Sequence, residues 1–327
     1  MKEDFNRLIR EADSICILGH TNPDGDCLGS TLGTRQYIRN RFPDKKVTVY
    51  LQEASSKFQY LPGFPEIVHV PSDRKYDLAI VCDCAGKDRL GDFAILMEHA
   101  KETYVADHHL TNAGSFQYST ILPDASSTCE VVFDLMDHDF IDQDAATCLY
   151  TGIVHDTGVF KYSCTSPHTM EIAGFLMSRG IDFGFIIDDG YYMKTFAQQK
   201  IQAKVMLESE LRLNDRAIVG WVTIGDMQKY HVTTKDTDSI VTNMRETRNV
   251  DCAVFAYEVS NQVFKVSLRS NNNALDVSRV AGAFGGGGHK LAAGCSLHGG
   301  YRDVLDHVLQ EIAKQLDAPG FKSRNDE

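Results

Sequence analysis

Short, continuous apolar runs recur through the first half of the chain, separated by stretches rich in helix-forming residues. The runs lie at residues 14–19 (SICILG), 46–52 (KVTVYLQ), 77–83 (DLAIVCD) and 103–107 (TYVAD). Strands that are buried on both faces read as unbroken apolar segments, because neither set of alternating side chains meets water. The pattern therefore predicts an α/β fold with a parallel sheet and helices on both faces, including helices near 126–137, 142–155 and 167–179.

The second half of the chain has a different pattern, and the chain length favours a second domain. Residues 191–210 are polar, rich in helix formers and free of Gly and Pro, which predicts a helical linker. The β-rich runs RAIVGWVTI, CAVFAYEVS and QVFKVSLRS follow and predict a smaller α/β domain. Because 327 residues are too many for one comfortable core, we expect a first domain at 1–190, the linker, a second domain at 211–316 and a polar tail at 317–327.

Charge and cysteine content restrict the partners and the compartment. A net charge of −12 argues against a protein that coats long nucleic acid, because such affinity comes largely from Lys and Arg. The first ten residues lack the apolar segment of a signal peptide, and no apolar stretch approaches the ~20 residues of a membrane span. The nine cysteines, an odd number lying mostly in apolar runs, suit a reducing compartment. We expect a soluble, cytoplasmic protein without a membrane partner.

Four short stretches concentrate side chains of the types that bind metal ions. They are HTNPDGD at residues 20–26, Asp83 in VCDCAG, DHH at residues 107–109, and Asp156 in TGIVHDTGVF. The first three directly follow predicted strands, and the carboxyl ends of parallel strands meet at one edge of a sheet. A single Asp at a strand end is usually a turn or cap residue. The conjunction of these stretches, rather than any one of them, therefore indicates a metal site.

Charge and donor type indicate what this site would bind. Asp24, Asp26, Asp83 and Asp156 bring four negative charges, which two divalent cations would balance. Mixed imidazole and carboxylate ligands suit Mn²⁺ better than Mg²⁺, which prefers oxygen. Two ions about 3.5–4 Å apart, bridged by one aspartate, suit the hydrolysis of a phosphoester.

A run of four glycines at residues 285–288 is followed by His289 and Lys290. Glycines permit positive φ and close backbone approach, and their N–H groups can form a nest for an anion. The alternative is a flexible hairpin turn. Because His289, Lys290 and the preceding Arg269 are basic, we favour phosphate binding.

Five motifs of this chain resemble those of the DHH phosphoesterase family. They are HTNPDGDCLGS, VCDCAG, ADHH, TGIVHDTGVF and the C-terminal RSNNNALDVSRVAGAFGGGGHKLAAGCS. Their order and spacing span nearly the whole chain, and the last resembles the DHH-associated substrate domain. Length and arrangement resemble the NrnA-like branch, which implies hydrolysis of short oligoribonucleotides and dephosphorylation of 3′-phosphoadenosine 5′-phosphate.

The resemblance also implies roles for individual residues. It implies metal ligation by His20, Asp24, Asp26, Asp83, His108 and Asp156, with Asp83 as the bridge. It implies that Asp107 orients a neighbouring imidazole and that His109 faces the substrate as phosphate binder or general acid. It implies substrate binding by Arg269, Ser270, Gly286, Gly287, Gly288 and His289. One departure is His155, where the family commonly has a small or hydroxylated residue, and we leave it outside the site.

Several alternatives remain open from the sequence. A phosphodiesterase for linear or cyclic dinucleotides would use the same motifs, and a nucleotide sensor without turnover would keep the same ligands. The GGGGH segment argues against a family II pyrophosphatase, and the negative charge argues against a RecJ-like processive exonuclease. The expected partners are short RNA oligonucleotides or mono- and dinucleotides. The sequence leaves open the preferred nucleotide, the polarity of hydrolysis, the metal used in the cell, and whether the protein is a homodimer.

Overall fold

The strands predicted from the apolar runs form the centre of the first of two units. A computed structural model describes residues 1–109, 116–237, 239–318 and 321. The chain divides into Met1–Met193 and Lys194–Glu327. Each unit has its own sheet and its own buried cores. Among the described residues, no helix combines the length and the apolar character that a bilayer crossing requires.

The first unit contains a five-stranded sheet in the order β2-β1-β3-β4-β5. Its strands are β1 (Ser14–Leu18), β2 (Lys46–Tyr50), β3 (Leu78–Cys82), β4 (Glu102–Asp107) and β5 (Tyr118–Ile121). Every pairing in this sheet is parallel, so the predicted α/β architecture is confirmed. β5 was not predicted, because YSTI is short and polar and lacks the continuous apolar character of the other strands.

Helices lie on both faces of this sheet. They are α1 (Lys2–Glu11), α2 (Gly25–Arg41), α3 (Ala94–Glu98), α4 (Thr128–Leu135), α5 (Gln143–Asp156), α6 (Pro167–Ser178) and α7 (Phe183–Ile187). In β1, Ile15 and Ile17 belong to the core that contains residues of α2, α4 and α5. The alternate residues Cys16 and Leu18 belong to the core that contains residues of α3. Burial of both sets of side chains explains why the strand reads as an unbroken apolar run.

The second unit contains a six-stranded mixed sheet in the order β10-β11-β9-β8-β7-β6. Its strands are β6 (Glu210–Arg212), β7 (Ala217–Val222), β8 (Cys252–Ser260), β9 (Val263–Ser270), β10 (Gly287–His289) and β11 (Ala292–His298). Its helices are α8 (Phe196–Glu208), α9 (Ile224–Tyr230), α10 (Ile240–Arg245), α11 (Val277–Gly282) and α12 (Tyr301–Leu316). β7 and β8 are parallel, and the other neighbours are antiparallel.

The segment predicted as a linker contributes a packed helix to the second unit. Ile201 and Val205 of α8 are buried in a core with Ile218 and Phe255 of the sheet. The boundaries predicted at residues 190, 210 and 316 stay a prediction. Most of the predicted tail from residue 317 lies outside the described residues.

A candidate metal centre at the carboxyl edge of the first sheet

The loop after β1 brings His20 into a buried position beside two carboxylates. Its Nδ1 lies 2.8 Å from the carbonyl oxygen of Thr21, a contact in which the ring nitrogen must donate. Nε2 then faces Asp83 Oδ2 at 3.3 Å and Asp24 Oδ1 at 3.7 Å. Burial lowers the pKa of His20, but the hydrogen bonds with Asp24 and Asp83 outweigh it and raise the pKa to about 10. The two carboxylates thus favour a positive charge at Nε2, which is where a metal ion would bind.

Hydrogen bonds from backbone N–H groups at helix N-termini fix the positions of the Asp24 and Asp26 carboxylates. Asp24 caps α2, and its Oδ1 accepts hydrogen bonds from the N–H groups of Asp26 and Cys27, both at 3.1 Å. Asp26 is fully buried and accepts from the N–H groups of Thr128 at 2.6 Å and Cys129 at 2.9 Å, at the start of α4. Backbone donors at a helix N-terminus favour negative charge. The D-x-D pair is therefore held by two different helices.

Asp83 lies immediately after β3 with each carboxylate oxygen facing a different set of side chains. Its Oδ2 faces His20, whereas its Oδ1 lies 3.8 Å from His108 Nε2 and accepts a hydrogen bond from Thr128 Oγ1 at 3.1 Å. The backbone at Asp83 has a φ of 54°. This left-handed conformation is unusual for a residue other than Gly, Asn or Asp. It aims a buried carboxylate at the centre of the cluster.

In the DHH segment at the end of β4, the two histidine side chains point in different directions. Buried Asp107 accepts hydrogen bonds at Oδ1 from the His108 N–H at 2.9 Å and from His109 Nδ1 at 2.8 Å. His108 Nδ1 lies 3.3 Å from the Ala125 carbonyl oxygen, and its Nε2 lies 3.3 Å from Asp156 Oδ2. Asp107 therefore orients the ring of His109, while His108 points towards Asp156 at the end of α5.

These residues form overlapping groups of potential metal ligands. The ligand atoms of each group lie within 4.8 Å of one another, and the groups are His20, Cys27 and Asp83; Asp83, His108 and His109; and Asp26, His108 and Asp156. Burial and the nearby Asp83 raise the pKa of Asp26 to about 7, and burial and Asp26 raise that of Asp156 well above its usual range. Cations bound here would hold these carboxylates in their charged forms, and the mixed donor set fits divalent metal ions.

The structure brings together all six sequence-predicted ligands and adds two residues that the sequence analysis missed. Cys27 Sγ belongs to the group with His20 and Asp83. Thr128 contacts Asp26 through its N–H and Asp83 through its hydroxyl. The run SSTC at residues 126–129, which has the character of a helix start, was the available signal.

His155 lies directly behind the loop that carries the D-x-D pair. A Cβ at Gly25, between Asp24 and Asp26, would overlap the imidazole ring. The ring packs 5.0 Å from Phe58 and 5.3 Å from Tyr191, centroid to centroid. Burial lowers its pKa to about 4. His155 therefore supports the loop as a neutral aromatic ring.

The substrate residues predicted in the second unit fall on different faces of its sheet. Arg269 of β9 pairs with Ala292 of β11, which pairs with His289 of β10. Paired residues share a face, so Arg269 and His289 lie on the same side of the sheet. The adjacent Ser270 is buried, and its hydroxyl donates to the Asn272 carbonyl oxygen at 2.8 Å. The geometry therefore separates Ser270 from the other two.

The second half of the glycine run lies in a strand. Gly287 and Gly288 lie in the edge strand β10, and Gly286 immediately precedes it. Gly288 has a φ of 142°, and a Cβ there would approach the Ala292 carbonyl oxygen to 2.6 Å. Positive φ and close backbone approach thus occur together at Gly288, which lies against β11, and phosphate binding by the glycine run stays a prediction.

Comparisons with known proteins cover both units. The family model "DHH family, N-terminal domain" matches residues 14–153, and the "DHHA1 domain" model matches residues 214–318. A "Probable bifunctional oligoribonuclease and PAP phosphatase NrnA" from Streptococcus mutans is 30% identical over 296 residues, covering 88% of this chain and 91% of that protein. A "Bifunctional oligoribonuclease and PAP phosphatase NrnA" from Bacillus subtilis is 26% identical over 320 residues, covering 95% and 97%.

A solved structure also resembles this protein over its length. The crystal structure of an exopolyphosphatase-related protein from Bacteroides fragilis has a TM-score of 0.88 at 26% identity, covering 96% of this chain and 95% of that chain. The matching models, the relatives and this structural likeness converge with the geometry described above. The chain therefore belongs to the DHH family of phosphoesterases.

Proposed function

We propose that this protein is a two-metal phosphoesterase that uses Mn²⁺ to hydrolyse short oligoribonucleotides and to dephosphorylate 3′-phosphoadenosine 5′-phosphate. The observation that carries the proposal is the position of Asp83, with one carboxylate oxygen towards His20 and the other towards His108. The names of the Streptococcus mutans and Bacillus subtilis relatives, which specify both activities, support the choice of substrates.

Six side chains would hold the two ions. His20, Asp24 and Asp83 would hold one, and Asp26, Asp83, His108 and Asp156 would hold the other. When bound, such ions would stabilise charge on the phosphoryl oxygens and would lower the pKa of a water, so that hydroxide is available near neutral pH to attack phosphorus. Imidazole among the ligands favours Mn²⁺ over Mg²⁺. The hydrogen bonds that His20 Nδ1 and His108 Nδ1 donate to the Thr21 and Ala125 carbonyl oxygens would keep both imidazoles aimed at the ions.

His109 would act on the substrate. Its Nδ1 is held by Asp107, which leaves Nε2 as the ring nitrogen available to a phosphate or a leaving oxygen. The hydrogen bond with Asp107 raises the pKa of His109. A protonated ring near neutral pH can donate a hydrogen bond to a phosphoryl oxygen or a proton to the leaving group. Arg269 and His289 of the second unit would bind further substrate phosphate.

The proposal is tested by hydrolysis after metal exchange. Protein stripped with EDTA would be reloaded with Mn²⁺, Mg²⁺ or Co²⁺ and incubated with pApA, RNA of two to five nucleotides, 3′-phosphoadenosine 5′-phosphate, cyclic dinucleotides and pyrophosphate. We expect Mn²⁺-dependent hydrolysis of the short RNAs and of 3′-phosphoadenosine 5′-phosphate. A preference for cyclic dinucleotides, or full activity in verified metal-free protein, would refute the proposal.

A further inference from the structure

Over β9 and β11, one face of the sheet in the second unit is exposed or half-buried, whereas the opposite face is buried. In β9, Phe264, Val266 and Leu268 are buried in a core that includes residues of α11 and α12. The alternate residues Lys265 and Ser267 are exposed and half-buried, respectively. β11 repeats the pattern. We call the side chains on this side of β9, β10 and β11 the outer face; they are Val263, Lys265, Ser267, Arg269, Gly287, His289, Ala292, Gly294, Ser296 and His298.

The register arranges the outer face in rows across the strands. Arg269, Ala292 and His289 form one row. The next row is Ser267, Gly294 and Gly287, and the row after it pairs Lys265 with Ser296. Successive rows are two residues apart, or about 7 Å along a strand. Lys265 therefore lies about 13 Å along β9 from Arg269, with only small side chains in the row between them.

The chemistry of the outer face suits a phosphodiester backbone. None of its ten residues is acidic, although the chain carries a net charge of −12. It contains one lysine, one arginine, two histidines and two serines, all of which can donate hydrogen bonds to phosphate. Lys265 is exposed, and among the described residues it makes no salt bridge. The row of Ser267, Gly294 and Gly287 contains no large side chain, and Gly287 is exposed.

We propose that Lys265 binds the phosphodiester backbone of an oligoribonucleotide beyond the nucleotide that Arg269 and His289 contact. This inference rests on the proposed function and deepens it by assigning a subsite for the third and later nucleotides. An extended single strand covers the distance from Arg269 to Lys265 in about two nucleotide steps. A dinucleotide or 3′-phosphoadenosine 5′-phosphate ends before it reaches Lys265. The outer face therefore distinguishes substrates by length.

The test measures how the removal of one positive charge from the protein changes kcat/KM for substrates of different length. In Lys265→Ala we expect kcat/KM for a pentaribonucleotide to fall about fivefold through KM, with pApA and 3′-phosphoadenosine 5′-phosphate unchanged within about twofold. Loss of one phosphate contact should also reduce the magnitude of the slope of log(kcat/KM) against log salt concentration by about 0.7. We expect this change for the pentanucleotide but not for the shorter substrates. Lys314→Ala is the matched control, because it removes an exposed lysine of α12, whose core-facing residues pack on the opposite face of the sheet.

The outcomes separate this inference from the proposed function. Equal losses on dinucleotide and pentanucleotide, no loss on either, or the same loss in Lys314→Ala would overturn the subsite. Fluorescence anisotropy of a labelled pentanucleotide in EDTA measures binding without turnover. Weaker binding of the pentanucleotide, but not of the dinucleotide, by Lys265→Ala supports the subsite even if the wild-type protein hydrolyses neither RNA. Only the proposed function would then be refuted.

Discussion

Two histidines of the candidate metal centre are held by the same local device. In His20 and in His108, Nδ1 contacts a backbone carbonyl oxygen while Nε2 points towards carboxylates. The carbonyl determines which nitrogen carries the proton and which can bind a metal ion. His109 differs, because its Nδ1 contacts the carboxylate of Asp107. The adjacent His108 and His109 therefore differ in the partner of Nδ1, which is a backbone carbonyl oxygen for His108 and a carboxylate for His109.

Replacement of Asp83 tests the bridging position. Asp83→Asn keeps a side chain that tolerates the left-handed backbone, so the fold should persist while the second anionic oxygen is lost. We expect metal content, measured by mass spectrometry after dialysis, to fall from two ions per chain to at most one. The exposed Asp13→Asn serves as the control. Two ions retained by Asp83→Asn would contradict the bridging role.

Replacement of the two adjacent histidines tests their division of roles. His109→Ala should keep near-normal metal content while kcat falls about 10²–10⁴-fold, the usual range for acid–base assistance. His108→Ala should lose metal, because its Nε2 lies within the carboxylate cluster. Asp107→Asn should lower kcat in the same direction as His109→Ala, because the neutral amide no longer raises the pKa of that ring. Metal loss in His109→Ala equal to that in His108→Ala would reverse the assignment.

Asp26 should make the stability of the metal-free protein depend on pH. Burial and Asp83 raise its pKa from 3.8 to about 7, so the folded protein binds this proton more tightly than the unfolded chain does. The resulting stability is present at low pH and is lost as pH rises through 7. We expect the melting temperature in EDTA to fall between about pH 4 and pH 7 and to change little above that, because only within this window does the folded protein hold a proton that the unfolded chain has lost. Asp26→Asn should reduce that fall, and an unchanged pH profile in this variant would exclude Asp26 as its source.

At the element scale, the candidate metal centre lies where helices begin or end beside the carboxyl ends of strands. α2 begins at the D-x-D pair, α4 begins with the N–H groups that hold Asp26, and α5 ends at Asp156. The ring of His155, one residue before Asp156, packs against Gly25 at the start of α2. The position of the D-x-D loop therefore depends on how closely α5 approaches α2.

Substitution of Gly25 tests this contact. Gly25→Ala would push a Cβ into the His155 ring, and overpacking of this kind costs about 1–3 kcal/mol. We expect a lower melting temperature and weaker metal binding by calorimetry. The double variant with His155→Ala should recover part of both losses, because the clash is then removed. Gly174→Ala in α6 is the control, since a Cβ there meets nothing within 4 Å. Additive losses in the double variant would show that the two residues do not interact.

At the scale of the whole molecule, the chemistry-bearing side chains are divided between two units. The ligand groups lie in Met1–Met193, whereas Arg269 and His289 lie in Lys194–Glu327. The first unit contains every group that we assign to phosphoester hydrolysis. The second contains cationic side chains without a comparable cluster of carboxylates on the outer face. This division predicts that binding and chemistry can be separated by mutation.

Arg269→Ala is the variant that separates them. Its guanidinium is permanently charged and matches the geometry of a phosphate. We expect KM for pApA to rise at least ~10-fold, about 1.4 kcal/mol of lost binding, while hydrolysis of bis-p-nitrophenyl phosphate changes little. Arg212→Ala, an exposed arginine of β6, is the control. Equal losses on both substrates would instead assign Arg269 to folding or to chemistry.

Several parts of the fold and the site were predictable because they depend on local patterns. A strand buried on both faces must be apolar throughout, so four strands of the parallel sheet were evident as continuous runs. Side chains directly after such strands must meet at one edge of the sheet, so the clustering of His20, Asp83 and His108 was predictable from the sequence alone. β5 was missed because a short edge strand need not be apolar.

By itself, the sequence determined the α/β class, the two-part organisation and the types of side chain at the candidate metal centre. Those properties follow from periodicity, chain length and residue chemistry. The tertiary structure decided the direction of each side chain, because direction depends on backbone conformation and on partners distant in sequence. It placed Thr128 between Asp26 and Asp83, turned Ser270 away from Arg269, and set the two oxygens of Asp83 towards different histidines. Contacts between residues far apart in sequence, such as Thr128 and Asp26 at a separation of 102 positions, leave no local pattern from which they could be predicted.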